Sequence, residues 1–220
     1  MKITKFLPKL KRQAGFTMIE LLIVIAILGI LAVAVLSAIN PIEQINRGRD
    51  TGSRSDAEQL LSAIDRFYAS NGYYPWQSGA SDVAAAIDWI SIDTTTIGTN
   101  TTCPILYRLS DIPAALATEC AGQNGTQELK ASFVNKTEAD SFNDLYIYNA
   151  GGGSDSTYVC FAPKSNNFKQ EAVDRLDLDG DGNYPDDGAI PDDYPVSAYN
   201  NPTAGTDLNC GDEGNCICLP

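Results

Sequence analysis

The sequence predicts an α+β chain: a long amino-terminal α-helix, hydrophobic in its first half and amphipathic in its second, packed on a small antiparallel β-sheet head with a loop-rich carboxyl-terminal region. Three observations carry this. Residues 21–39 (LLIVIAILGILAVAVLSAI) form an apolar run with no charge. Ala57, Leu60, Leu61, Ile64, Phe67 and Tyr68 then recur at helical three- and four-residue spacing. Residues 144–149 (DLYIYN) and 157–162 (TYVCFA) each alternate side chains across two faces and flank the turn AGGGSDS, which reads as a β-hairpin.

The first twelve residues hold Lys2, Lys5, Lys9, Lys11 and Arg12 and no acid. Nineteen helical residues span roughly 28 Å, close to the hydrocarbon thickness of a bilayer. The basic leader orients the amino end to the cytoplasmic side, so that the chain beyond Asn40 is exported. Three readings compete for such a segment: a secretory signal, for which Ala32-Val33-Ala34 supplies a small-residue cleavage site after Ala34; a plain anchor; and a leader cut before the apolar helix. Glu20 separates them. An acidic group in an apolar helix costs on the order of 2 to 3 kcal/mol at its centre and less near its end, and neither a signal nor a plain anchor needs one.

The residues KLKRQAGFTMIELLIVIAILGILAVAVL resemble the precursor of a type IV pilin or type II secretion pseudopilin. The resemblance implies that a prepilin peptidase cuts after Gly15 and methylates the new amino terminus at Phe16. It implies also that Glu20 neutralises the amine of a neighbouring subunit during assembly; the alternative role for Glu20 is to complement the positive end of its own helix. The expected organisation is a leader over 1–15, a transmembrane and filament-core helix over 16–45, and an exported head over 46–220.

Between Arg47 and Arg54 the residues Gly48, Thr51, Gly52 and Ser53 are poor helix formers, and Ser55-Asp56-Ala57-Glu58 reads as a capping box, so local sequence permits a break. The family resemblance instead implies one helix from about Thr17 to Ser70, kinked at Asn40-Pro41, with Gly29 a second weak point. Asn71-Gly72 and Pro75 end it. Ser81 to Ile90 and Asp111 to Cys120 read as short helices around a threonine-rich loop, 94–102. Glu128 to Val134 reads as a third strand and Pro195 to Tyr199 as a fourth. The hairpin aromatics Tyr146, Tyr148, Tyr158 and Phe161 read as sheet-face packing rather than a ligand platform.

Histidine is absent, which removes imidazole as base, nucleophile or zinc ligand and argues against an enzyme. The net charge is −13, and beyond residue 12 ten basic residues face 28 acidic ones, which disfavours direct nucleic-acid binding. Cys103, Cys120, Cys160, Cys210, Cys216 and Cys218 all follow the apolar segment and read as disulfides of an exported domain. Cys103 with Cys120, which flank one loop, is the expected first pair; Cys160 is expected to join the tail, and Cys210 to join Cys216 or Cys218.

Residues 174–193 hold eight aspartates and one arginine. Asp177, Asp179 and Asp181 match the first, third and fifth ligand positions of an EF-hand-type loop, Gly182 its sharp turn, and Asn183 a carbonyl ligand. Gly188 stands where a bidentate Glu belongs, so Asp186 or Asp187 is expected to complete a non-standard Ca2+ site.

The function expected is that of a non-enzymatic structural subunit of an extracellular type IV pilus, inserted in the inner membrane as precursor. The resemblance implies as partners further copies of the chain, the prepilin peptidase, a membrane platform, and an assembly ATPase acting through that platform. The alternatives are a secretion pseudopilin and a secreted calcium-binding protein released after Ala34.

Overall fold

The computed structural model describes residues 15–83, 86–93, 95, 102–139, 142–152, 155–176, 191–195 and 216–220, the side chains at 38 and 88 excepted. The chain divides into two compact units, Met1–Pro41 and Ile42–Pro220.

The first unit holds α1, Met18–Ala38, and α2 runs over Pro41–Asn71. The expected single helix kinked at Pro41 is therefore two helices. Ile39 is extended (φ −102°, ψ 129°), and Pro41 opens α2. Proline lacks the N–H that a helix interior requires, but at a first helical position that N–H has no intrahelical partner. Gly29 lies within α1, which passes through it unbroken. The stretch 47–54 is also continuous helix: Thr51 Oγ1 donates to the Arg47 carbonyl at 2.8 Å and Ser53 Oγ to that of Arg49 at 3.2 Å, so these hydroxyls turn onto the helix's own backbone. Gly72 stops α2 in the left-handed region (φ 76°), its N–H bonding the Tyr68 carbonyl at 2.7 Å.

The buried face of α2 runs Asp50, Ser53, Ala57, Leu60, Ile64 and Phe67, at steps of three and four. Leu60, Ile64 and Phe67 are almost fully buried, each contributing about 1.5–3 kcal/mol by leaving water. Tyr68, read as part of this stripe, is instead exposed and stacks on Tyr74, which stacks on Trp76.

The sheet is antiparallel throughout, in the order β1 (Ile87–Ser91), β2 (Leu145–Asn149), β3 (Tyr158–Phe161), β4 (Ile217–Leu219). Its period of two sorts the side chains. Leu145, Ile147, Val159, Phe161 and Ile217 join the α2 residues in the main core. Tyr146, Tyr158, Cys160, Cys216 and Cys218 form a second cluster, with Trp89, Tyr148 and Tyr194 packed against it.

Two expected elements change type. The helix expected over 81–90 gives way to β1, whose Ile87 and Ile90 pair with Asn149 and Ile147 across a bulge. The open edge of β2 offers partners to β-branched and aromatic residues, and that tertiary pairing overrides local alanine-rich propensity. At the bulge Trp89 takes φ 43°, its ring 5.8 Å from that of Tyr148. The strand expected over 128–134 gives way to α4, Ala131–Thr137. Phe133 and Val134 are both buried, as is Leu129, and adjacent residues cannot share one face of a strand. Within 111–120 only Ala114–Leu116 form a 3-10 helix. Two helices were not foreseen: α3, Ile105–Leu109, and α5, Asn166–Asp174. Residues 196–199 of the expected fourth strand lie outside the described residues.

Arg108 of α3 is 1% exposed and ties the loop after α2 to the core. Its Nη1 donates to the carbonyls of Pro75 and Gln77 and its Nη2 to Gln123 Oε1 at 2.8 Å, with the guanidinium 5.3 Å from the Phe67 ring centroid. Burial holds its pKa below the ordinary arginine value.

Candidate functional site

The amino-terminal site is built on the entry to α1. Thr17 is its N-cap, extended at φ −84° and ψ 148°, a conformation that leaves the side chain free to turn back onto the helix. Thr17 Oγ1 accepts from the Glu20 N–H at 3.2 Å. In return Glu20 Oε2 accepts from the Thr17 N–H at 3.2 Å and from Thr17 Oγ1 at 2.9 Å. This reciprocal capping box satisfies otherwise orphaned N–H groups at the helix end and sets a carboxylate against the positive end of the helix.

Gly15 and Phe16 precede the cap, outside the helical hydrogen bonding, and Phe16 is 80% exposed. The Gly15–Phe16 bond is thus presented in non-helical chain, the form in which a peptidase can take a backbone. Hydrolysis there creates an amine one residue before the cap. Glu20 is the only charged residue from Phe16 to Ile42, so no other group on α1 can meet such an amine.

The remainder of α1 has no polar face. Leu21, Leu22, Ile25, Leu28, Leu31 and Leu36 point around its whole circumference and all are more than half exposed. A helix apolar on every side requires an apolar surrounding. Residues Met18–Ser37 are long and apolar enough to cross a membrane. Ala34 lies inside α1, its carbonyl accepting from Ser37 Oγ at 2.9 Å.

In the head Cys103 is bonded to Cys120 and Cys160 to Cys218. Cys216 is also disulfide-bonded. Cys210 lies outside the described residues, as do Asp177, Asp179, Asp181, Asn183, Asp186 and Asp187. The residues on either side of that acidic loop are held. Leu176 is 2% exposed. Asp193 accepts from the Ser156 N–H and, at 3.0 Å, from the Tyr158 hydroxyl. The Ser156 N–H holds the Asp193 carboxyl below its ordinary range, while burial, reinforced by Asp193, pushes Tyr158 up to about 12. Tyr146, Tyr158 and Phe161 are buried and Tyr148 half-buried, as packing residues would be. Among the described residues no group of three or more acidic or cysteine side chains is placed to hold a metal.

Sequence reasoning missed Asp50 and Asp56, both buried carboxylates of α2. The signal was present in the helical period: Asp50 lies seven residues before Ala57 and Asp56 four before Leu60, on the face that packs inward.

The described chain thus joins an apolar helix of membrane-spanning length, with one carboxylate in its capping box and an exposed Gly–Phe bond before it, to an α+β head. The model of the prokaryotic N-terminal methylation motif matches residues 10–36. The chain is 36% identical over 76 residues to the fimbrial protein EcpC of Eikenella corrodens, covering 34% of this chain and 48% of that protein. It is 38% identical over 74 residues to the type IV major pilin protein PilE of Neisseria gonorrhoeae (34% and 43%), and 32% identical over 65 residues to the type II secretion system core protein G of Pseudomonas aeruginosa (30% and 44%). The matched stretch thus spans a little under half the length of these relatives. No solved structure matches the chain. The motif and these likenesses show that the amino-terminal third is similar to that of type IV pilins and of a type II secretion system core protein.

Proposed function

We propose that the protein is a structural subunit, not an enzyme, of an extracellular type IV pilus. A prepilin peptidase cuts after Gly15 and methylates Phe16; the precursor spans the inner membrane through α1 with its leader inside; a membrane platform driven by an assembly ATPase then adds subunits to the filament. The observation that carries this reading is Glu20, the lone charge of an otherwise apolar helix, placed at its amino end beside the bond to be cut. In a low-dielectric layer opposite charges attract strongly, so Glu20 can leave its own capping box for the amine of a neighbour. Burial of α1 against copies of itself supplies the apolar surrounding that its circumference requires.

The deciding experiment is to identify the first residue of the protein in sheared surface fibres. Methylated Phe16 is expected. A soluble protein beginning after Ala34 would overturn the reading, and methylated Phe16 found only in the cell envelope, with no surface fibres, would favour the pseudopilin role that the likeness to core protein G supports.

Calcium in the 177–187 loop is part of the same proposal. Its oxygen-only donors suit a hard cation.

A further inference from the structure

The head carries a small cavity of about 170 Å3 whose walls hold three basic side chains from three separate segments: Arg49 of α2, Lys136 of α4 and Lys164 of the β3–α5 connection. This concentration stands out in a chain whose net charge is −13. Lys136 is committed, its Nζ bonding both oxygens of the buried Asp56 at 2.8 and 2.5 Å. Among the described residues Arg49 and Lys164 have no carboxylate within ion-pair distance. Among the described residues the walls therefore carry three basic side chains to one carboxylate, that of Asp56, while the buried carboxylate of Asp50 bonds the Lys164 N–H at 2.9 Å.

Gly52 adds an independent observation. It lines the cavity in mid-helix, where glycine costs roughly 0.5–1 kcal/mol relative to alanine. Its φ is not in the left-handed region, and a Cβ built there meets nothing within 4 Å. Neither backbone conformation nor close packing demands a glycine; what its missing side chain leaves is open volume at the cavity wall. A cavity of about 170 Å3 has room for a group the size of phosphate.

We propose that this cavity binds a phosphate-type anion, either free or as the headgroup of an anionic phospholipid. Arg49 offers a planar fork that matches two phosphate oxygens, and Lys164 a point charge from a separate segment. Lys136, held by Asp56, supplies a donor already in place. The excess of basic side chains over carboxylates among the described wall residues favours an anion, and the concave wall favours a compact group over an extended acidic chain.

The test uses the full chain in neutral detergent micelles at constant ionic strength. Inorganic phosphate is titrated against a chloride control by calorimetry, and a parallel arm replaces it with micelles doped with phosphatidylglycerol. Saturable heat with phosphate identifies a site for the free ion; saturation with phosphatidylglycerol alone identifies the lipid headgroup. The pair Arg49→Gln and Lys164→Gln should weaken binding by at least about tenfold, the loss expected for charge-assisted hydrogen bonds. Gly52→Leu changes no charge and fills the cavity, and it should weaken binding as much; it also decides the matter if the double variant does not fold. No saturable binding in either arm, or binding that Gly52→Leu leaves intact, overturns the proposal. So does a peptide of residues 174–193 that binds this face while both phosphate arms stay silent, which would make the face a contact for a second copy.

Discussion

Asp50 in α2 holds the first turn of α5 through Ser165, 115 residues away in sequence. The carboxylate is fully buried. It accepts from the Ser165 N–H at 2.7 Å, the Ser165 hydroxyl at 2.6 Å and the Lys164 N–H at 2.9 Å, while Ser165 Oγ accepts from the Phe168 N–H at 3.3 Å as N-cap of α5. An isolated charge out of water is costly, and three donors on one carboxylate compensate for it. The same helices are joined again by the Arg54–Glu171 ion pair, with the Arg54 guanidinium 4.8 Å from the Phe168 ring centroid.

Removing that carboxylate strands three donors. Asp50→Ala is expected to lower the stability of the head by about 3 kcal/mol, and Asp50→Asn, which keeps one acceptor oxygen, by less. Denaturant unfolding measures the total, and hydrogen exchange should show residues 166–174 losing protection before the sheet does. Unchanged exchange in α5 would mean that Asp50 does not hold it.

Glu20→Leu is expected to leave cleavage after Gly15 intact while filaments fall to a small fraction of their normal yield. Leucine is at home in an apolar helix, so the membrane pool of processed protein should persist; what disappears is the only charge on α1 that can meet a neighbour's amine. Immunoblots of membrane and sheared fractions separate these effects, and fibres at normal yield would remove the assembly role from Glu20.

Tyr158 and Asp193 give the head two pH limits of opposite sign. Tyr158 is raised to about 12 in the fold against about 10 when unfolded, so its contribution is complete below pH 10 and is lost as pH rises towards 12. Asp193 is lowered, so its contribution is present above the unfolded value of about 3.9 and is lost as pH falls through the folded value. Tyr158→Phe should make the decline of melting temperature between pH 10 and 12 shallower, at some cost near pH 7 from the lost hydrogen bond. An unaltered slope would assign the alkaline transition to other groups.

Calcium should raise the melting temperature of the full chain by a few degrees at 10 mM if the 177–187 loop binds with an affinity of about 1 mM, which corresponds to roughly 1.4 kcal/mol of linkage. Asp179→Ala combined with Asp181→Ala should abolish the rise, and a chelator should reverse it in the unaltered chain. Equal calcium shifts in variant and parent would place the ion elsewhere.

Several elements were legible because their side-chain period is local. The apolar run of α1 needs no neighbour to be recognised, and the helical spacing of Leu60, Ile64 and Phe67 marks the inward face of α2. The alternation in 145–149 and 158–161 separates the core residues Leu145, Ile147, Val159 and Phe161 from the outer cluster of Tyr146, Tyr158 and Cys160. Asp50 was legible by the same period but was passed over, because a carboxylate on a buried face has meaning only when its donors are known, and these come from 164–165.

The sequence alone therefore determined the leader, the apolar helix with its single carboxylate, the hairpin and the position of the cysteines after the membrane-type segment, all properties of residues near one another in the chain. Tertiary structure decided the rest. Residues 87–91 became a strand because β2 offered an edge, and 131–137 a helix whose Phe133 joins the main core together with Leu129. Residues 217–219, too short to announce a strand, became β4 through pairing with β3, where Cys160 stands opposite Cys218 and is bonded to it. For the two strands the energy comes from groups distant in sequence, through backbone pairing or a covalent bridge, and no local pattern of residues records it.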